Sequence, residues 1–210
     1  MTVGQALTDR LLGGLDILRL SATSGQVESL IRFLMLIQKW GKAYNLTAIR
    51  EISGAIDLHL LDSLTVSPFL CGDRVLDVGT GAGLPGIPLA ITNPDRQFVL
   101  LDSSAKKIRF VRHAIMELGL VNVEAVAARV EDYRPGAGFD TVLARAFASL
   151  SDIQSMTAHL LRSGGRVLAL KGRYPRDEIE ALQGAGDVRV HALAIPGLGV
   201  DRHLVELEAG

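Results

Sequence analysis

The sequence predicts an α/β fold: a seven-stranded, mostly parallel sheet with helices on both faces, behind an amino-terminal helical extension. Three observations predict it. From Asp73 onward apolar, strand-like runs alternate with helical segments, the pattern of parallel strands joined by right-handed crossovers. The first run, Val75 to Val78, enters a turn with glycines at 79, 81 and 83, and an apolar helical segment follows. The second run, Phe98 to Leu101, closes on Asp102, an acid where a parallel sheet opens its ligand crevice.

Taken in order, residues 1 to about 70 read as helical. Leu7, Leu11, Leu12, Leu15, Leu18 and Leu20 recur near helical spacing, and Ser24 can cap a second helix that buries Val27, Leu30, Ile31, Leu34, Met35 and Ile37. Gly41 ends it, Ala43 to Thr47 reads as a connector, and Glu51 to Ser63 as a third helix. Strands are expected at 74–79, 97–102, 122–127, 139–144, 165–170, 187–194 and 203–208, the last two as an edge hairpin. Helices are expected near 85–92, 104–118, 150–162 and 176–183. The division is a helical extension, 1–70, packed on a domain spanning 71–210.

Glycines after the first strand permit a tight turn and the close approach of a ligand. Asp102 can accept hydrogen bonds from the two hydroxyls of a ribose, so a nucleoside cofactor is expected. A dinucleotide loop reads G-x-G-x-x-G; Gly79 and Gly81 fit its first two positions, but Leu84 stands at the third. Pro85 and Pro88 also remove N–H donors that a pyrophosphate would use. The pattern Asp77-x-Gly79-x-Gly81-x-Gly83 suits a cofactor with an amino-acid tail, Asp77 facing its ammonium and loop N–H groups its carboxylate. That describes S-adenosylmethionine; NAD is the second reading.

Composition agrees with a compact chain. Its 210 residues are 48% hydrophobic and 21% charged, with a net charge of −1, so RNA contact would rest on local basic patches. A lone cysteine, Cys71, fits a reducing cytoplasm and reads as a small residue at a helix–strand junction. Neither a signal peptide nor a membrane span is expected.

Further candidates close the later strands. Val130, Glu131 and Asp132 follow the third, where they can meet an adenine edge; an acidic cap is the equal reading of Asp132. Arg145 closes the fourth, placed to meet a cofactor carboxylate, a phosphate or a base edge, with a bridge between structural carboxylates as its other reading, and Lys171 closes the fifth as a phosphate contact. Phe147 reads as core rather than as a stacking platform. Lys106, Lys107, Arg109 and Arg112 read as a solvated helix face, with an RNA patch including Arg173 and Arg176 as the second reading. His59 and Asp62 stand at i and i+3 without a third ligand, so capping or packing is expected and no metal. Trp40, Tyr44 and Asn45 read as a seam between helices and sheet.

The segments Trp40 to Thr47, His59-Leu60-Leu61-Asp62-Ser63, Val78 to Pro88, Arg145-Ala146-Phe147-Ala148-Ser149, Ala169-Leu170-Lys171-Gly172 and Arg202-His203-Leu204 occur in this order. Together they resemble the bacterial RsmG family, formerly GidB, from about residue 30 to the end. The resemblance implies a Rossmann-like class I methyltransferase acting on N7 of guanine 527 in the 530 loop of 16S rRNA. The substrate would be the small ribosomal subunit or its assembly intermediate, and the enzyme a monomer. It carries cofactor contacts to Gly79, Leu84, Val130, Glu131 and Arg145. Guanine N7 has no proton to lose, so in-line placement rather than a general base is expected to drive transfer, with Arg145 and Lys171 as the catalytic candidates. A methyltransferase of small molecules or proteins, and a non-catalytic ribosome-assembly factor, are the alternatives.

Overall fold

The computed structural model describes residues 3–44, 52–182 and 187–208. Its sheet comprises β1 (Arg74–Val78), β2 (Gln97–Asp102), β3 (Val123–Ala127), β4 (Phe139–Arg145), β5 (Leu161–Lys171), β6 (Val188–Ala192) and β7 (His203–Glu208). Their spatial order is β3-β2-β1-β4-β5-β7-β6. The first five pair in parallel, and β7 runs antiparallel to both β5 and β6. The order reverses between β1 and β4, which opens a crevice at their carboxyl ends.

Strand alternation makes two cores. Val75, Leu100, Leu143 and Leu168 enter one apolar cluster, whereas Leu76, Leu101, Ala144 and Val167 enter the other. Both sheet faces are thus buried, as parallel strands require. The first face carries α1 (Val3–Ile17), α2 (Ser24–Tyr44), α5 (Gly86–Thr92) and α6 (Ala105–Leu118); the second carries α7 (Leu150–Thr157) and α8 (Arg176–Glu180). Trp40 of α2 meets His113 of α6 edge-on at 5.2 Å and packs against the apolar cluster that includes the sheet residues Val75 and Leu100. The side chains of Tyr44 and Asn45 and the connector from Asn45 lie outside the described residues. Among the described residues no helix is long and apolar enough to cross a membrane.

Two elements differ from expectation. The third helix is split into α3 (Ile52–Ala55), a π-helix (Ile56–Leu61) and α4 (Asp62–Leu64). The wider turn lets Asp57 take the Arg10 guanidinium of α1, an instance of a π-turn serving a specific contact. The helix expected at 150–162 stops at Thr157, passes through a 3₁₀ turn (Ala158–Leu160), and gives way to β5 four residues early. Leucines 160 and 161 satisfy helical spacing, but Gly165 lies so close to the Phe139 and Arg162 carbonyls that a Cβ would sit 2.8 and 2.9 Å from them. The chain therefore enters the sheet here, with a register shift opposite Phe139 to Thr141.

At the opposite end of the sheet from the crevice, Asp140 Oδ2 accepts from the N–H groups of Asp73 (2.9 Å) and Arg74 (2.8 Å), and its other oxygen pairs with Arg162. Cys71 lies here too, its thiol donating to the Asp140 carbonyl at 3.0 Å. Asp140 is buried, so Asp140→Ala strands two amides at the start of β1. Stability to urea should fall by roughly 2–4 kcal/mol. A loss within about 0.5 kcal/mol, the range of ordinary surface substitutions, would contradict this assignment.

Candidate active site

Two buried carboxylates hold the glycine loop. Asp77, on β1, accepts at Oδ2 from the Thr80 hydroxyl (2.6 Å) and the Gly86 N–H (3.0 Å). Its Oδ1 is buried without a hydrogen-bond partner. Burial raises the Asp77 pKa to about 6, with Thr80 and Gly86 opposing the shift. Asp102, ending β2, accepts from Gly81 N–H at 3.0 Å and Ser104 N–H at 2.8 Å, and Lys107 Nζ stands 3.5 Å from Oδ2.

The N–H groups expected to greet a carboxylate are partly used within the loop. Those of Gly83 and Leu84 both donate to the Thr80 carbonyl, at 2.9 and 3.0 Å. Leu84 is buried beneath the loop, so it shapes the turn. Gly79 has a φ of 65°, and a Cβ there would lie 2.4 Å from the Phe147 ring. Only glycine permits both the turn and the close approach of that ring.

A first cavity of about 330 Å³ opens beside this loop, lined by Gly79, Asp102, Val130, Glu131, Ala146 and Phe147 among others. Val130 is buried in a short 3₁₀ turn (Val130–Asp132) after β3, and Glu131 is exposed. Asp132 is exposed and not part of the lining. Small residues, the apolar Leu101, Val130 and Phe147, and the Asp102 carboxylate suit a planar base joined to a diol-bearing sugar. Phe147, expected as core, packs against the second apolar cluster and also forms part of this wall.

Arg145 is not among the residues lining the first cavity, although its charge is felt at Asp77 of the glycine loop. Leu143 and Ala144 point to opposite faces of β4, and the alternation turns Arg145 toward the helical layer. There it lines a second cavity of about 410 Å³ with Leu58, His59, Asp62, Lys171 and Arg202. Ala146 lines both cavities and has a φ of 48°, a left-handed conformation uncommon for a residue with a Cβ.

Asp62 organises the second cavity. Its two oxygens take Arg145 Nη1 at 3.3 Å and Arg202 Nε at 3.2 Å. Burial raises its pKa, while both arginines oppose the shift. Arg145 Nη1 also donates to the Leu58 carbonyl at 3.4 Å. Burial and the Arg145 charge lower His59 to about 4, leaving its ring neutral at pH 7. Lys171 is already engaged, donating to Glu178 at 2.7 Å and to the Ala148 carbonyl at 3.0 Å. Among the described residues no cluster suits a metal ion.

The basic residues stand in two groups. Lys106, Lys107, Arg109 and Arg112 follow β2, whereas Arg173 and Arg176 follow β5. Three strand spacings, roughly 14 Å, separate β2 from β5, with the site between. The Arg112 guanidinium is spent on the Ala125 carbonyl. Asp62 and Arg202 were missed as site residues. Both stood in recognisable motifs, but only folding brings positions 62, 145 and 202 together.

Comparison with known proteins accords with this geometry. A family model described as "rRNA small subunit methyltransferase G" matches residues 26–205. The relative named ribosomal RNA small subunit methyltransferase G from Methylococcus capsulatus is 56% identical over 93% of this chain and 95% of its own. That from Aeromonas salmonicida is 51% identical over 89% and 90%. Among solved structures, the S-adenosylmethionine-dependent methyltransferase SibL superposes with a TM-score of 0.61 at 20% identity, covering 97% of this chain and 74% of that one. Cofactor-bound Rv0187 from MTB gives 0.59 at 20% identity over 86% and 89%. The latter two show a shared Rossmann-like methyltransferase fold, and the sequence matches show the lineage: this chain belongs to the rRNA small subunit methyltransferase G family.

Proposed function

We propose that the protein transfers a methyl group from S-adenosylmethionine to N7 of guanine 527 in the 530 loop of 16S rRNA, within the small ribosomal subunit or its assembly intermediate. The observation that carries this reading is the pair of cavities meeting at Ala146. One suits a nucleoside with a charged tail, and the other is large enough for a purine and lined by polar groups. The helical segment 1–70 acts as an extension of the methyltransferase domain, 71–210, because its His59 and Asp62 complete the second cavity.

The residues present fit the cofactor. Asp102 would hold the ribose hydroxyls, Val130 and Glu131 the adenine, and the partnerless Asp77 Oδ1 the ammonium, directly or through water. Gly79, Gly81, Gly83 and Leu84 set the backbone path around it. When bound, S-adenosylmethionine supplies an electrophilic methyl group on a sulfonium. The in-plane lone pair of guanine N7 would take that methyl as the carbon–sulfur bond breaks, its electron pair staying on sulfur; no proton is released, so no base is needed. Neutral His59 fits a wall residue in such a site. Arg145, steadied by Asp62, would orient the guanine through O6, and Lys171, tied to Glu178, fixes the rim of the cavity. Asp62, shared between Arg145 and Arg202, would fix both guanidinium groups beside the purine.

Incubation with S-adenosylmethionine and small subunits lacking the modification should yield 7-methylguanosine at position 527 by mass spectrometry. Asp102→Ala should lower cofactor affinity about ten- to hundredfold, as expected for losing charge-assisted hydrogen bonds. Tight cofactor binding with unlabelled rRNA would redirect the assignment to a small-molecule or protein substrate.

Asp77 also makes cofactor binding pH-dependent. With a pKa of about 6, the carboxyl is increasingly protonated below that pH, whereas an ammonium partner favours its ionised form. A free α-amino group titrates near 8, so it stays charged through this window. Affinity for S-adenosylmethionine should therefore rise between pH 5 and about 7 and then level, and Asp77→Asn should bind more weakly with that rise removed. A wild-type affinity flat across this range, measured by calorimetry, would contradict the contact.

A further inference from the structure

A third cavity, of about 390 Å³, adjoins the second through Gly172 and Arg202; Arg173, Gly199, Val200 and Asp201 complete its wall. Tyr174 stands next to it in the chain, 51% exposed. We propose that Tyr174, Arg173 and this cavity form a subsite for the unpaired nucleotide flanking the methylated guanosine, an inference that rests on the rRNA reading above.

The Tyr174 ring is held but not covered. Its neighbour His203 meets it edge-on at 5.5 Å and 86°, and the His203 Nδ1–H donates to the Gly172 carbonyl at 3.1 Å. The Arg176 N–H donates to the Tyr174 carbonyl at 3.0 Å, and Pro175 limits the backbone between them. A large aromatic fixed at its edge and open to solvent is a platform for a base, and every base has a face to stack on it. Arg173 is exposed and has no ion pair or hydrogen bond among the described residues, so its guanidinium is available to a phosphate. Asp201 confines that phosphate to the Arg173 side and offers an acceptor for base amino protons. Arg202, which donates from Nη1 to the Asp201 carbonyl at 3.2 Å and from Nε to Asp62, joins this subsite to the second cavity. The backbone of an extended strand would thus pass from one cavity to the next without a turn through the core.

The test measures methyl transfer into reconstituted small subunits whose target guanosine has either intact neighbours or an abasic nucleotide on its 5′ or 3′ side. Tyr174→Ala should lower kcat/KM about tenfold, mainly through KM, with S-adenosylmethionine affinity unchanged and Tyr174→Phe within about twofold of wild type. An abasic residue on one side should lower wild-type kcat/KM similarly and erase the difference between wild type and Tyr174→Ala. Tyr174→Ala equal to wild type on intact subunits would overturn the subsite, as would a deficit undiminished by either abasic neighbour. Failure of the wild-type enzyme to methylate any subunit would count against the rRNA reading itself.

Discussion

A single carboxylate, Asp62, meets two guanidinium groups that are distant in sequence, and the arrangement of the second cavity depends on it. Arg145 ends β4 and Arg202 precedes β7, so the contact ties the helical layer to two parts of the sheet. At these separations each attraction is worth about 5 kcal/mol with an effective dielectric of 20. Desolvation costs several kcal/mol per ion and offsets most of that. The cluster therefore contributes more to geometry than to net stability. Removing its centre is another matter, because two like charges would be left facing one cavity.

Strand alternation supplies the complementary constraint. Ala144 faces one core and Arg145 the helical layer, and Ala146 then turns through a left-handed conformation that brings Phe147 against Gly79. The corner separates a cavity suited to a nucleoside from one bordered by Arg145 and Asp62, while leaving them a common wall. Opposite it, Asp77 and Asp102 fix the glycine loop through Thr80, Gly81 and Gly86. Reactants on the two sides would meet with little freedom left to lose, a main catalytic resource for group transfer between two bound molecules.

Much of this was legible in the chain. Short apolar runs alternating with helical segments identify the seven strands, and an acid closing the second run beside the turn glycines points to the crevice at the strand ends. The direction of Arg145 was legible in principle from β4 alternation, but what it meets was not, since Asp62 lies 83 residues away. The π-turn escaped because Ile56, Leu60 and Leu61 also satisfy an ordinary helix. Early entry into β5 escaped for a similar reason: Leu160 and Leu161 continue a helical pattern, and the crowding at Gly165 exists only once Phe139 is beside it.

The most direct measurement is to compare S-adenosylmethionine binding with rRNA methyl transfer in Asp62→Asn. If Asp62 serves the second cavity by positioning Arg145 and Arg202, cofactor affinity should stay within about twofold while methyl transfer falls at least tenfold, a barrier increase of about 1.4 kcal/mol or more. Unchanged transfer, or a loss of cofactor affinity equal to the loss of transfer, would contradict the division of the site into two cavities with separate tasks.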